Sequence, residues 1–130
     1  MIEKGLFSVQ SHTFDMHQVS GLDPEPIRKG VLQMEDETEA EYINALREDT
    51  AAEKRVLKSM GSSFDITAYP YGSSSLLSEL IYAEEGAYST VTTVQKTNVI
   101  LKGLPQSLRQ LSRYSCERNV TAEDLLKMIQ

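Results

Sequence analysis

Two histidines and an aspartate in the segment "SHTFDMHQV" are the first residues of the chain that could do chemistry. Imidazole nitrogens and carboxylate oxygens are common zinc ligands, so His12, Asp15 and His17 suggest a metal site. Residues 5–19 are typical of one or two strands, however, in which positions 12 and 17 point to opposite faces. The chain has no third histidine, and no cysteine lies nearby to complete the coordination. The sequence therefore predicts no metal site and no cofactor.

Catalytic chemistry has little support elsewhere in the sequence. Cys116 would need a nearby cation to become a nucleophile; Arg113 is about one helical turn away, but the sequence places neither histidine beside it. The serines of "GSSSLL" lack the lysine and the spacing of a phosphate-binding loop, so we expect them to cap a helix. The carboxylates between Glu35 and Glu41 lie at an exposed helix start, whereas general acid–base catalysis needs a partly desolvated site. We therefore expect no catalytic residues and no enzymatic activity.

Length and charge limit the organisation of the chain. Its 130 residues are within the usual size of one domain. From Lys96 onward there are six basic and three acidic residues, which gives +3, so with a net charge of −6 the preceding residues carry −9. This asymmetry indicates two portions with different partners, an acidic portion over 1–95 and a tail over 96–130, which are either separate or one continuous domain. The single cysteine, and the lack of a secretory signal or of an apolar run of about 20 residues, favour a cytoplasmic protein.

The strongest element of the acidic portion is a long helix. Thr38 and Glu41 have the spacing of a capping box, and the helix they open is predicted to end at Met60, with Gly61 as its stop. Its apolar stripe is interrupted in the middle by three polar residues, Asp49, Thr50 and Glu53. We therefore expect one end of this helix to pack better than its centre.

The remaining elements indicate an α+β fold. Asp23 before Pro24 favours a short helix over 23–34. Alternation predicts a strand over 64–68, ended by the turn "YPYG", and a serine-capped helix is expected to follow and to end at Gly86. The β-branched segment 87–101 is the strongest strand signal. Together these elements predict a small mixed sheet with amphipathic helices and a C-terminal strand-helix-helix unit.

The C-terminal unit is the stretch "TNVILKGLPQSLRQLSRYSCERNVTAEDLLKMIQ". Alternation puts Val99 and Leu101 on one face of a strand and leaves the other face to Asn98, Ile100 and Lys102. Pro105 is predicted to start a helix. Thr121 and Asp124 have the spacing that caps a second, final helix.

This order of elements resembles the ribbon-helix-helix family, the Arc/MetJ type of DNA-binding domain found in many antitoxins. The resemblance is carried by "LKGLPQSLRQL" and "NVTAEDLLKMI". It implies an intertwined dimer whose paired strands enter the major groove. Asn98, Ile100 and Lys102 would then face the bases, where Lys can donate to guanine, Asn can pair with adenine and Ile can touch a thymine methyl group. The backbone at Thr121 and Ala122 would meet a phosphate.

Two functional hypotheses follow. The first is a dimeric DNA-binding regulator that binds duplex DNA with its tail and a protein partner with its acidic portion, through Glu37, Glu39 and Glu41. The alternative is a non-catalytic interaction protein, such as an adaptor, an inhibitor or a subunit of a larger phage or bacterial assembly, which docks through the same acidic face. An enzyme is the third choice and would require a deep pocket with convergent polar groups.

Overall fold

The computed structural model describes residues 8–93, 97–114 and 118–128. These residues form the α-helices α1 (Glu39–Ser59), α2 (Leu76–Glu84) and α3 (Ala122–Met128), and the strands β1 (Ile66–Ala68), β2 (Ser89–Thr92) and β3 (Leu111–Ser112). Short 3₁₀ helices cover Pro70–Gly72 and Pro105–Leu108. The three strands form one sheet in the order β1-β2-β3, and both pairs are parallel. The α+β class is confirmed, with a parallel rather than a mixed sheet. A membrane-crossing helix is not found in the described part of the chain, because none of its helices is sufficiently long and apolar.

Helix α1 forms where the capping box predicts it. The Thr38 hydroxyl accepts the Glu41 N–H at 3.3 Å, and the Glu41 carboxylate accepts the Thr38 N–H at 2.9 Å. These bonds satisfy two donors that would otherwise be unpaired at the helix start. The interrupted middle of the apolar stripe is also buried, so the face that α1 turns inward contains Asp49, Thr50 and Glu53 beside Tyr42, Leu46 and Leu57.

The core lies between the helices and the sheet. Helix α2, capped by Ser75, connects β1 to β2 and contributes the buried residues Ile81 and Tyr82. The ring of Tyr82 meets that of Tyr69 edge-on, with the centroids 5.5 Å apart. Tyr42 donates from its hydroxyl to the Val31 carbonyl at 2.6 Å, which ties α1 to the irregular segment before it. Three wholly buried tyrosines thus give this small core much of its volume.

Arg109 fixes the chain that leads into β3. Its Nε donates to a Glu79 carboxylate oxygen at 2.6 Å, and its two Nη atoms donate to the carbonyls of Ala87 and Glu79 at 2.7 and 2.8 Å. The second Glu79 oxygen accepts the Thr90 hydroxyl at 2.9 Å. We call Arg109, Glu79 and Thr90 the arginine clamp. Through it the residues before β3 are held against α2 and β2.

The first part of the chain is less regular than predicted. The helix expected over 23–34 does not form, because the segment folds back on residues 16–19: the Asp23 carboxylate accepts the Val19 N–H at 2.7 Å, and the Gln18 N–H donates to Arg28 O at 3.1 Å. The strands expected over 5–19 are reduced, in residues 8–19, to isolated bridges such as that of Ser11 to β1. Residues 5–7 lie outside the described residues.

The tail also differs from its prediction. Residues 97–101 form no strand and are exposed, and of the segment 87–101 only Ser89–Thr92 is a strand, with 94–96 outside the description. The helix predicted from Pro105 ends after one 3₁₀ turn, because Gln110 takes a left-handed φ of 53° and the chain then pairs with β2 as β3. Tertiary contacts, chiefly those of Arg109, override the helical pattern here. The last helix does form, with the Thr121 hydroxyl accepting the Asp124 N–H at 3.2 Å.

Candidate functional site

The first histidine is fixed at the carboxyl end of β1. The Ser11 N–H donates to Ile66 O at 3.0 Å, and the Ala68 N–H donates to Ser11 O at 2.9 Å, so Ser11 bridges the outer edge of the strand. The next residue, His12, is half-buried, and its Nδ1 lies 2.7 Å from the Ala68 carbonyl oxygen. Because a carbonyl oxygen can only accept, Nδ1 carries the proton of this hydrogen bond, and Nε2 is the ring nitrogen left to face a ligand.

The second histidine comes to the same place. The ring centroids of His12 and His17 are 5.0 Å apart, with the ring planes at 88°. The chain between them is not extended, since Thr13 has a left-handed φ of 71° and His17 pairs backbone-to-backbone with Lys29. The expectation that positions 12 and 17 face opposite sides is therefore wrong. We call residues 11–17 the histidine loop.

Tyr71 forms the other wall of the site. It follows β1 in the turn that contains Pro70 and Gly72, and its ring meets that of His17 edge-on at 4.6 Å between centroids. Its hydroxyl donates to the Gln18 carbonyl at 3.1 Å. Tyr71 has a φ of 56°, a conformation that is strained for a residue with a side chain. Strained residues cluster at functional sites, and ligands of parallel sheets bind beyond the carboxyl ends of the strands; both features meet here.

Two carboxylates of α1 accept hydrogen bonds from the histidine loop. Glu53 accepts the Ser11 hydroxyl at 2.7 Å and the His12 N–H at 3.2 Å. Asp49 accepts the N–H groups of Phe14 and Asp15 at 3.0 and 2.6 Å. Both side chains are buried, and this burial raises the pKa of each carboxyl above its ordinary value, despite the hydrogen bonds that lower it. We call Asp49 and Glu53 the carboxylate pair.

The two imidazoles could contribute two ligands to a metal ion. Imidazoles bound tetrahedrally through nitrogens about 2.0–2.1 Å from zinc have ring centres about 5 Å apart, which agrees with the separation of His12 and His17. Metal-binding histidines commonly donate their second N–H to a backbone carbonyl, as His12 does to Ala68. The described residues contain no group of three His, Cys, Asp or Glu side chains that could hold a metal. The histidine pair is thus one short of the three protein ligands typical of a catalytic zinc site.

The residues predicted to contact DNA are not brought together as a strand. Asn98 bonds through its side chain to the backbone of Ser112. Ile100 and Lys102 are exposed in the irregular segment before Pro105. Thr121 caps α3, and Ala122 is the first residue of that helix. The strand that the sequence predicts for Asn98, Ile100 and Lys102 is therefore wrong, whereas contact of these residues with a nucleic acid is untested.

The predicted acidic docking residues are partly used within the chain. Glu37 forms an ion pair with Arg28, and Glu41 is part of the cap of α1. Glu39 lies exposed in the first turn of the helix. Binding of a protein partner through these residues stays a prediction, as does the division of the chain at residue 95. Cys116, the candidate nucleophile, lies outside the described residues.

Comparisons with known proteins identify a related fold. No protein-family profile matches the chain, and no curated protein matches it significantly in sequence. Among solved structures, the chain is similar to a de-N-acetylase from Aggregatibacter actinomycetemcomitans, with a TM-score of 0.73 and 17% identity. The similarity covers 98% of this chain and 49% of that protein, so the chain spans about half the length of the enzyme it resembles.

This similarity overturns the functional hypotheses drawn from the sequence. A fold shared with an enzyme over nearly the whole chain contradicts both a DNA-binding regulator and a non-enzymatic interaction protein. The strands predicted for residues 97–101 and for the histidine loop do not form, and the resemblance of the tail to the ribbon-helix-helix family stays untested. The sequence signals of the site are the two histidines themselves and the acids that interrupt the buried stripe of α1.

Proposed function

We propose that the chain is part of an amide hydrolase that removes an N-acetyl group, with the histidine loop and Tyr71 in its active site. The observation that carries the proposal is that His12 and His17 meet beyond the carboxyl end of β1, with their ring centroids 5.0 Å apart. Support comes from the fold, which is similar to that of a de-N-acetylase. In such a reaction water adds to the acetamide carbonyl carbon, the C–N bond breaks, and acetate and an amine are released.

The chain's own residues have separable roles in this proposal. His12 would bind a divalent metal ion through Nε2, because the Ala68 carbonyl holds the proton on Nδ1. His17 would supply a second ring nitrogen, and the Tyr71 ring packed against it limits how the imidazole can rotate. A metal ion held by these residues would polarise the acetamide carbonyl as a Lewis acid and would lower the pKa of a bound water. Tyr71, which is 45% exposed, leaves the site open to a substrate at its turn.

The proposal is tested by zinc binding and acetate release, measured on the intact protein that contains this chain. Wild type should bind zinc in isothermal titration calorimetry and should release acetate from at least one of a panel of N-acetylated compounds. His12→Ala and His17→Ala should each abolish acetate release and weaken zinc binding, because each removes one of two ligands. Lys102→Ala is the matched control: this exposed residue should leave both measurements unchanged.

Retention of zinc binding and acetate release by both histidine variants would contradict the proposal. The cytoplasmic location expected from the sequence stays a prediction and does not enter this test.

A further inference from the structure

The carboxylate pair holds an unusually complete set of donors from the histidine loop. Glu53 and Asp49 lie one turn apart on α1, and between them they accept three backbone N–H groups and one hydroxyl. The one remaining N–H between positions 12 and 15, that of Thr13, donates to the Ser11 hydroxyl oxygen at 3.3 Å. Every backbone N–H from position 12 to position 15 therefore has an acceptor that depends, directly or through Ser11, on α1.

Burial of the two carboxylates costs more free energy than is needed merely to attach a loop to a helix. Asp49 and Glu53 are 8% and 7% exposed, and within the described ranges no Lys or Arg nitrogen forms an ion pair with either. A buried carboxylate whose hydrogen bonds come only from neutral donors loses much of its hydration energy, and for Asp49 the charge of Arg28 offsets only part of that loss. The arrangement instead restricts the conformation of the histidine loop, because each carboxylate fixes two donors at once and so limits how the loop can move.

We propose that Asp49 and Glu53 are positioning residues that fix the shape of the histidine loop so that His12 and His17 act on one ligand. The inference rests on the proposed function of the histidines and extends it to α1. Asp49 fixes the middle of the loop through Phe14 and Asp15, and therefore sets the separation of the two imidazoles. Glu53 fixes the start of the loop and therefore sets the position of His12 relative to the Ala68 carbonyl.

The hydrogen-bond chemistry predicts different effects for the two amide substitutions. In Glu53→Gln the amide oxygen can accept the His12 N–H, while the amide NH₂ donates to the Ser11 hydroxyl oxygen, which can accept. Both contacts survive. In Asp49→Asn both partners are backbone N–H groups that can only donate, so the new NH₂ must face one of them. One of the two contacts is therefore lost and its site becomes repulsive.

The experiment compares Asp49→Asn, Glu53→Gln and the control Glu48→Gln, an exposed acid next to Asp49 on the same helix. One readout is the NOE between the imidazole protons of His12 and His17. The other is the dissociation constant for zinc. Asp49→Asn should lose the NOE and weaken zinc binding by about tenfold or more, the range seen when residues that orient metal ligands are removed. Glu53→Gln should change both less than Asp49→Asn, and Glu48→Gln should change neither.

An unchanged NOE and unchanged zinc affinity in folded Asp49→Asn would overturn the inference. If Asp49→Asn does not fold, Glu53→Ala tests the same claim from the start of the loop, because it removes both acceptors without adding a donor. Loss of the NOE and of zinc affinity there supports the inference, and their retention overturns it. If wild type binds no zinc, the proposed function fails, but the NOE comparison still decides whether α1 sets the separation of the histidines.

Discussion

Two buried carboxylate environments in this protein differ in the charge that faces them. Glu79 in the arginine clamp meets the guanidinium of Arg109 at 2.6 Å, and the rest of its capacity is used by Thr90. The carboxylate pair of α1 meets backbone N–H groups and one serine hydroxyl. The clamp is neutral as a unit and can serve purely as structure. Among the described residues the carboxylate pair forms no ion pair, and its oxygens instead hold the backbone and the Ser11 hydroxyl of the histidine loop.

The largest expected loss of stability comes from breaking the arginine clamp. Arg109→Ala would leave Glu79, whose side chain is 9% exposed, buried without a counter-ion. Removing one partner of a buried ion pair typically destabilises by about 3–5 kcal/mol, and we expect a loss in that range in urea unfolding. Arg113→Ala, an exposed arginine four positions on, is the control and should change the free energy of unfolding by less than about 0.5 kcal/mol. Equal losses in the two variants would show that Glu79 does not depend on Arg109.

The next-largest effect tests the contact between the Tyr71 turn and the end of strand β2. Gly72 ends the Tyr71 turn, and its carbonyl accepts the Thr92 hydroxyl of β2 at 2.7 Å. A Cβ at Gly72 would lie 1.9 Å from Thr93 Oγ1 and 2.6 Å from Thr93 N, at a φ of +70°. Gly72→Ala should therefore lose about 2–4 kcal/mol, from the left-handed conformation and from overpacking together. It should also change the ring-current shifts of His17, because Tyr71 moves.

Gly61→Ala is the matched control for this turn. Gly61 has nearly the same φ, +72°, but nothing lies within 4 Å of an added Cβ. Only the conformational cost should remain, about 1–2 kcal/mol, and the His17 signals should stay in place. If the two glycine variants lose the same stability, the contact with Thr93 relaxes freely and the turn is not a rigid link.

The smallest effect is on the pH dependence of stability, to which Asp49 and Glu41 of α1 contribute in opposite directions. Burial raises the Asp49 pKa, so between the unfolded and folded pKa the native state binds more protons. The stability from Asp49 is therefore complete below the unfolded pKa and is lost as pH rises through the folded pKa. A folded pKa one above the unfolded pKa corresponds to a loss of about 1.4 kcal/mol. The Glu41 pKa is lowered by its hydrogen bonds to Thr38, so its contribution is present above the unfolded pKa and is lost as pH falls through the folded pKa.

Unfolding curves measured from about pH 3 to about pH 7 separate the two contributions. Asp49→Asn should remove a decline of stability toward higher pH, and Glu41→Gln should remove a decline toward lower pH. A profile of Asp49→Asn parallel to that of wild type would mean that Asp49 is as well solvated in the folded chain as in the unfolded one.

Local signals are sufficient for some elements and not for others. Helix α1 can be predicted because its cap and its stripe are encoded within one segment, and the same holds for α2 with its serine cap. The tail cannot, because Arg109 finds Glu79 thirty residues away, and that contact decides that a potential helix becomes β3. Alternation of apolar residues at 97–101 predicts a strand, but those residues lie on the surface.

The site is visible in its residue types but not in its geometry. Between His12 and His17, Thr13 takes a left-handed conformation, and the Asp15 N–H donates to Asp49, 34 residues away. Neither condition can be deduced from the segment itself. The polar interruption of the α1 stripe is the sequence signal of the carboxylate pair, and it suggests weak packing where the structure has a set of buried acceptors.

Asn98 has a consequence for how the sheet ends. Its side-chain amide donates to Ser112 O at 2.9 Å and accepts the Ser112 N–H at 2.7 Å, the pair of bonds that a neighbouring strand would make. Strand β3 is at the border of the sheet, where unpaired backbone groups can recruit strands from other molecules and start aggregation. A single side chain thus occupies the position where such growth would begin, so that an incoming strand must first displace it.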